Sequence, residues 1–542
     1  MGKINKIKIT LVWVLPAVLL IATWVIYGCY YESNDDVAIS QVIRGETAIA
    51  PVYSLHLYFH GFSAILASLY QIMPSFPWYG ILLYLLLYSS LILVHQILYE
   101  ALEYKMSLTH LCLCLVLLYW FTWQETALLM NYTRIPILLS GVGILYATKQ
   151  RTCLRSFSIG VAVAFLGWCI RPSTALLGLL VAAPGAWWLA RYKALLPVIG
   201  TGVLMLTAIW VLSVTYSPEE NRYRHIDIGN AYYLDYGLYQ HKRNTTEDNL
   251  GIKSVDNWAF GDSTVVNEKL FNEKFYFDKY LFLRQTAPDK VISSYRLLRR
   301  YCLHLVLFPV IVSILVFTRI DAKAKEFLLT QVGFALLLLS LSAVFKLPLR
   351  LASPLCSLWV LCVLLYIVNY SPWLFKLKSV WQWGLCIAVL SYAPVVWQQS
   401  REYRQKRLEN EAYLRQVYLV AKHRTLVSGG IERAYQYLSP FSTYELSDLP
   451  VLTLMGWLTL EPSLSDLRQH MTGTRDFENS ILRLANKPNT LWIMHEPFAS
   501  FIESYTQMHR PTAKNALSLE LKRSLSTNPQ FAKVYSGKVI NK

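Results

Sequence analysis

The stretch Glu32-Ser-Asn-Asp-Asp-Val-Ala-Ile-Ser-Gln41 decides how this chain is read. It follows directly on a long apolar run, Ile9 to Tyr30, and so emerges at a membrane face. Two adjacent carboxylates, Asp35 and Asp36, stand there with Asn34 before them. Neighbouring like charges repel, and a bilayer-spanning helix gains nothing by ending in a paired negative charge. A carboxylate at the water–lipid boundary makes sense where something must lose a proton. The plainer alternative is that the acids merely cap the end of the first span.

Composition sets the class. The chain of 542 residues is 54% hydrophobic and only 16% charged, where soluble domains carry roughly a quarter charged residues. Its mean hydropathy is +0.34. This describes a polytopic membrane protein. The 36 Tyr and 17 Trp suit interfacial belts, where a ring stays half wet. A net charge of +17 does not imply nucleic acid, because cytoplasmic loops collect Lys and Arg and no basic–aromatic interleaving is present. The nine Cys lie in or beside apolar runs, so no disulfide framework is implied. Lys3 to Lys8 and the run after them read as a retained anchor, since that run is long and lacks a small-residue cleavage site.

A ~30 Å hydrocarbon layer needs about 20 apolar residues per helix. After the first span, ten more are expected near Tyr79–Leu98, Leu108–Trp123, Ile135–Tyr146, Phe157–Cys169, Thr174–Leu189, Leu195–Val214, Leu303–Phe317, Phe327–Val344, Leu351–Ile367 and Val380–Trp397. The fold expected is an α-helical polytopic membrane protein of about eleven transmembrane helices, with a small C-terminal α/β extracytoplasmic domain. Val52 to Met73 reads instead as an amphipathic helix along the interface, with His56 and His60 on its polar side. With the N-terminus inside, the loops Lys149–Arg155, Arg191–Lys193, Arg319–Lys325 and Lys376–Lys378 face the cytoplasm, as the positive-inside rule asks. The acid pair, the interfacial helix and a large loop at 216–296 then face outward. So does the C-terminal region. The expected division is a membrane module at 1–397, with outward loops at 31–78 and 216–296, and a domain at 398–542. In that domain Thr425–Val427 and Thr490–Met494 read as strands, and Ser536-Gly537 reads as a closing hairpin turn.

Cationic groups recur at span ends on the face that bears the acids. Trp123-Gln-Glu125 and Asn131-Tyr-Thr-Arg134 bracket one outward connection, Arg171-Pro-Ser-Thr174 forms the next, and Lys346-Leu-Pro-Leu-Arg350 a later one. Arg at such a depth is usually paired, often with phosphate, which its planar fork binds bidentately. Snorkelling at helix ends is the bland reading for Arg134 and Arg171, and a simple pair with Arg134 is the bland reading for Glu125. Lys346 and Arg350, two cations in one tight turn, run against the positive-inside bias. His56 and His60 lie four apart, a metal-binding spacing, but no third ligand is evident. His225 sits early in the large loop, where it could close over a substrate.

In layout the chain resembles the GT-C superfamily of integral-membrane glycosyltransferases, nearest the branch of protein O-mannosyltransferases and lipid A aminoarabinose transferases. Asn34-Asp-Asp36 after the first span and Lys346-Leu-Pro-Leu-Arg350 opening a late one carry the resemblance. It implies inverting transfer of a sugar from a polyprenyl-phosphate donor to a lipid, glycan or protein hydroxyl. The base would be Asp35 or Asp36. Arg350 with Lys346 would hold the donor phosphate, with Arg171 and Arg134 as further candidates. Glu125, Asn34, His56, His60 and His225 are candidates for substrate contact. A divalent metal bridging phosphate and carboxylate fits this chemistry, but no separate ligand set is apparent, and the reading is metal-independent with no firm cofactor. The setting expected is a bacterial inner membrane. The competing readings are a polysaccharide polymerase or ligase centred on Arg222, Arg224 and His225, and a transporter without chemistry.

Overall fold

All eleven apolar segments are helical in the computed structural model, which describes residues 2–149, 154–242, 246–373, 378–444, 449–509 and 515–541. Two parts of the expected basic loops, 150–153 and 374–377, lie outside that set. Among the described residues, six helical stretches are long and apolar enough to cross a membrane, and seven if one sharply bent pair counts as a span. The difference from eleven has identifiable sources. Arg134–Lys149 and Leu154–Ile170 have 16 and 17 residues, or roughly 25 Å of helix, short of the hydrocarbon thickness. Two expected spans, Pro172–Ala190 and Leu195–Thr215, join through Arg191–Ala194 into one stretch of 44 residues. Val380–Trp397 falls within the 44-residue helix Lys378–Ala421.

The chain gathers into two compact units. The first comprises Met1–Glu32, Gly80–Val214 and Ala287–Arg404. Leu349–Tyr370 is its centre, with 89% of its apolar window buried, whereas Pro172–Thr215 and Ala322–Val344 bury 17% and 22% of theirs. Helices this apolar and this uncovered need lipid as their solvent. Small residues let the inner helices approach. A Cβ added to Gly160 would stand 2.5 Å from Ala147 N and Gly143 O, and one on Gly178 would stand 2.3 Å from Ile137 O. Without a hydrophobic driving force between helices in lipid, such close packing is a main source of association.

The second unit comprises Ser33–Tyr79, Thr215–Thr286 and Gln405–Lys542. Its five-stranded mixed sheet runs Val451–Thr453, Thr425–Gly429, Thr490–Met494, Lys533–Asn541, Asn515–Arg523 in spatial order. The first three strands are parallel and the last two antiparallel. Residues 215–286, expected as a loop, are largely structured. Helices Pro218–Asn230, Thr246–Asp256 and Glu268–Lys274 send Ile226, Ile252, Val255 and Phe271 into one core with Val427, Trp492, Phe498 and Tyr505. The segment set apart at 398–542 therefore shares its interior with the large loop.

Two local expectations are corrected. Ser536-Gly537 is not a turn but lies inside the strand Lys533–Asn541, whose hairpin partner is Asn515–Arg523. Gly is there because a Cβ at 537 would meet Trp492 Nε1 at 2.6 Å. The interfacial helix is shorter than expected, Phe62–Ile72, and His56 and His60 precede it. Phe59 and Gly61, at φ 57° and 81°, take left-handed conformations that break any helix before residue 62. At eleven residues, or roughly 16 Å, the helix is too short to cross a bilayer.

Replacing Gly160 by Leu is expected to lower the thermal midpoint of the detergent-solubilised chain, by about 1–3 kcal/mol of overpacking. Gly200→Leu, with nothing within 4 Å of its Cβ position, should leave it unchanged in the same scan.

Candidate active site

Three groups of polar side chains stand out, two in the second unit and one in the first. In the second unit the acid pair opens the helix Asp35–Arg44. Asn34 occupies the N-cap position, both acids sit in the first turn where the helix dipole favours them, Arg44 ends the last turn, and Gly45 at φ 83° closes it. The two acids have different surroundings. Asp36 is fully buried; its Oδ1 accepts from Tyr79 OH at 3.0 Å and its Oδ2 from Ser33 Oγ at 3.3 Å. Asp35 is half-buried and accepts from the Trp457 indole N–H at 3.1 Å. Tyr79 is itself held, its backbone N–H donating to Tyr70 OH at 3.0 Å and its ring packed on Phe59. Dipole capping accounts for acids in the first turn. It does not account for burying one of them completely, which costs several kcal/mol unless hydrogen bonds compensate.

The same unit holds a second acidic cluster. His56 Nδ1 lies 2.9 Å from Glu220 Oε1, and its Nε2 lies 3.4 Å from Glu461 Oε1. Glu220 is fixed by a capping box with Ser217. Burial, with Glu220 nearby, pushes the Glu461 carboxyl up to about 8. Burial, then Arg224 and His56, lowers His60 to about 4. Burial also lowers His56, against the pull of Glu220. His225 pairs with Glu268 at 3.0 Å on an exposed surface.

In the first unit the centre is Arg134, with no exposed surface. Its Nε donates to Glu32 Oε2 at 2.6 Å, and Nη2 reaches Glu125 Oε1 at 3.5 Å. Ser353 Oγ donates to the other Glu125 oxygen. The approach is built locally: Asn131 Oδ1 accepts from Thr133 N at 2.8 Å, turning the chain into the helix that Arg134 begins. Arg171 Nη1 donates to Thr133 Oγ1 at 2.8 Å and Tyr132 OH at 3.3 Å, with its guanidinium over the Tyr132 ring. Glu125 and Arg134 are thus brought together, and Arg171 meets the two residues just before Arg134. Arg350 is the second residue of the helix Leu349–Tyr370, three before Ser353. That spacing puts the two on one side of the helix, with Cβ atoms roughly 5–6 Å apart. Lys346 is exposed in the preceding turn at φ 116°, a strained conformation for a residue with a Cβ.

Glu32, Tyr79, Ser353, Trp457 and Glu461 were not singled out in the sequence. Glu32 alone had a signal, as an acid ending an apolar run; the others come from distant segments without motif. Among the described residues no group of three or more His, Cys, Asp or Glu is placed to hold a metal ion. Compared with protein-family models, curated proteins and solved structures, the chain matches none.

The raised Glu461 favours the folded state fully below the carboxyl's unfolded value, near 4.5, and that contribution is lost as pH rises through about 8. The lowered His60 acts oppositely: its contribution is present above about 6.5 and lost as pH falls through about 4. Glu461→Gln is therefore expected to flatten the fall in thermal midpoint between pH 4.5 and 8, measured on the full chain. An unchanged slope would contradict it.

Proposed function

We propose that this chain is a membrane glycosyltransferase of the GT-C type, moving a sugar from a polyprenyl-phosphate donor to an acceptor hydroxyl. In this reading its eleven helical segments form the membrane module. The N-terminus is cytoplasmic, the acid pair and the C-terminal sheet are outside, and the membrane is a bacterial inner one. The observation that carries the reading is Asp36: a carboxylate in the first helix after the first span, completely buried, with two hydroxyl donors aimed at it.

The chemistry asks for little else. The acceptor oxygen attacks the anomeric carbon, the bond from that carbon to the phosphate oxygen breaks, and the phosphate departs with the electron pair. The acceptor proton passes to a carboxylate. Inversion follows from the single displacement. Phosphate is a good leaving group, so no acid is needed to protonate it. A positioned base is worth roughly 10²–10⁴-fold, and cations on the leaving phosphate supply the electrostatic part. Asp36 is assigned the base. Asp35, held by Trp457, is assigned to positioning its helix. Arg350 with Lys346, then Arg171 and Arg134, are the cations for phosphate. Arg134, fully buried and already paired with Glu32 and Glu125, stands behind the other three in this role.

A second reading, a polymerase or ligase of lipid-linked glycans, draws on Arg224, whose charge bears on His60 and whose guanidinium lies 4.6 Å from the centre of the Tyr216 ring. Turnover of a labelled polyprenyl-phosphate sugar by purified protein separates the readings. Asp36→Asn should lose roughly 10²–10⁴-fold in kcat, and Asp35→Asn, which keeps an acceptor for Trp457, should lose much less. Full activity in Asp36→Asn with loss in Arg224→Ala would favour the second reading. Movement of lipid or sugar across the membrane without transfer would mean a transporter.

A further inference from the structure

The helix Ala287–Tyr301 carries more positive charge than its packing uses. It holds Lys290, Arg296, Arg299 and Arg300 against one acid, Asp289. One side is accounted for. Ser294 is buried, the helix lies against Ala322–Val344 and Leu349–Tyr370, and Lys290 Nζ donates to Val344 O at 3.0 Å. The opposite face is uncovered: Ile292 is 48% and Tyr295 62% exposed, and Arg296 and Arg299 are exposed with them. These four residues are spaced i, i+3, i+4, i+7, so they form one stripe. Water is a poor solvent for the isoleucine and the ring, and hydrocarbon is a poor one for the guanidiniums. The lipid headgroup layer accommodates both, with apolar stems inward and charged tips at the phosphates.

Direction is the second, independent observation. The helical run Lys279–Tyr301 is bent by 91° from Leu303–Phe317. That following helix is wholly apolar apart from His304 and Ser313, and Leu303, Leu307, Ile311 and Ile314 are exposed along it. Surface of that kind belongs in hydrocarbon, and a helix at right angles to it runs along the membrane plane.

We propose that Ala287–Tyr301 is an in-plane helix whose stripe Ile292, Tyr295, Arg296, Arg299 seats on anionic lipid headgroups, with the two guanidiniums on phosphate oxygens. The occupant is a lipid surface rather than an acidic protein segment, because the stripe continues at a right angle into an apolar helix that only lipid can solvate. In the orientation proposed above these cations face away from the cytosol, against the usual bias, and headgroup phosphate offsets that placement. The inference needs the chain to span a membrane, and it holds whether or not the chain is a transferase.

The test uses the full-length chain in nanodiscs, with a fluorescent amino acid at position 292. In discs of phosphatidylglycerol with phosphatidylcholine, a nitroxide on the lipid should quench the probe strongly and dissolved iodide weakly. In pure phosphatidylcholine, iodide quenching should rise. Arg296→Glu with Arg299→Glu should raise it in the anionic discs too, each arginine being worth roughly fivefold in surface affinity, while the double Lys variant should stay protected. A probe open to iodide and untouched by the lipid nitroxide would overturn the proposal. So would protection indifferent to both lipid charge and charge reversal, which would point to a protein contact. If the Glu variant does not fold, the comparison of the two lipid compositions decides alone.

Discussion

A guanidinium with no surface of its own has to find its counter-charge inside the protein. Arg134 finds it in Glu32 and Glu125. Removing a buried ion from water costs several kcal/mol, and removing one partner of a buried pair typically costs 3–5 kcal/mol because a lone charge is left behind. The first unit is organised around avoiding that outcome. Glu32 follows the first span, Glu125 sits near the end of the apolar stretch Leu108–Leu128, and Ser353 reaches Glu125 from the most buried helix. The short parallel pairing of Tyr30–Tyr31 with Leu129–Met130, and the bond from Glu32 N to Met130 O at 2.9 Å, hold the backbones so that the acid and the base meet. Four segments, drawn from three well-separated parts of the chain, are thereby fixed by one charge.

The second unit treats its acids differently. Asp36 is buried against hydroxyls and Glu461 against the imidazole edge of His56, while the half-buried Asp35 accepts from an indole. Asp36 accepts from two hydroxyls, whereas Glu125 meets the Arg134 guanidinium, and that difference of partner is why the proposal gives Asp36 rather than Glu125 the base's role.

How much of this was legible beforehand depends on the range of the interaction. Apolar runs of about 20 residues are a local signal, and every one of them is a helix. Length was the weaker inference, because a segment buried by protein on all sides need not match the bilayer: Arg134–Lys149 is apolar for packing, with Gly141 and Gly143 against its neighbours. The pairing of Glu125 with Arg134, nine residues apart, was within reach. Glu32 with Arg134 was not, since 102 positions separate them. Ser536-Gly537 misled because a glycine that makes room for Trp492 and a glycine that makes a turn look alike until the partner strand is known. The loop at 216–296 misled because its apolar positions are dilute in sequence and meet their partners only in the C-terminal third.

That last feature has a consequence for how the molecule is made. The core of the second unit takes Phe275 from one part of the chain and Tyr535 from another, 260 positions later. At 5–20 residues per second of synthesis, roughly 10–50 s pass between the two. During that interval Ile252, Val255 and Phe271 have no finished interior to enter. The ribosome meanwhile delivers Leu303–Phe317, Ala322–Val344 and Leu349–Tyr370, which belong to the first unit and add nothing to that interior. Biogenesis thus confronts a half-built globular body, in which residues 246–277 wait on the last two strands to complete their interior.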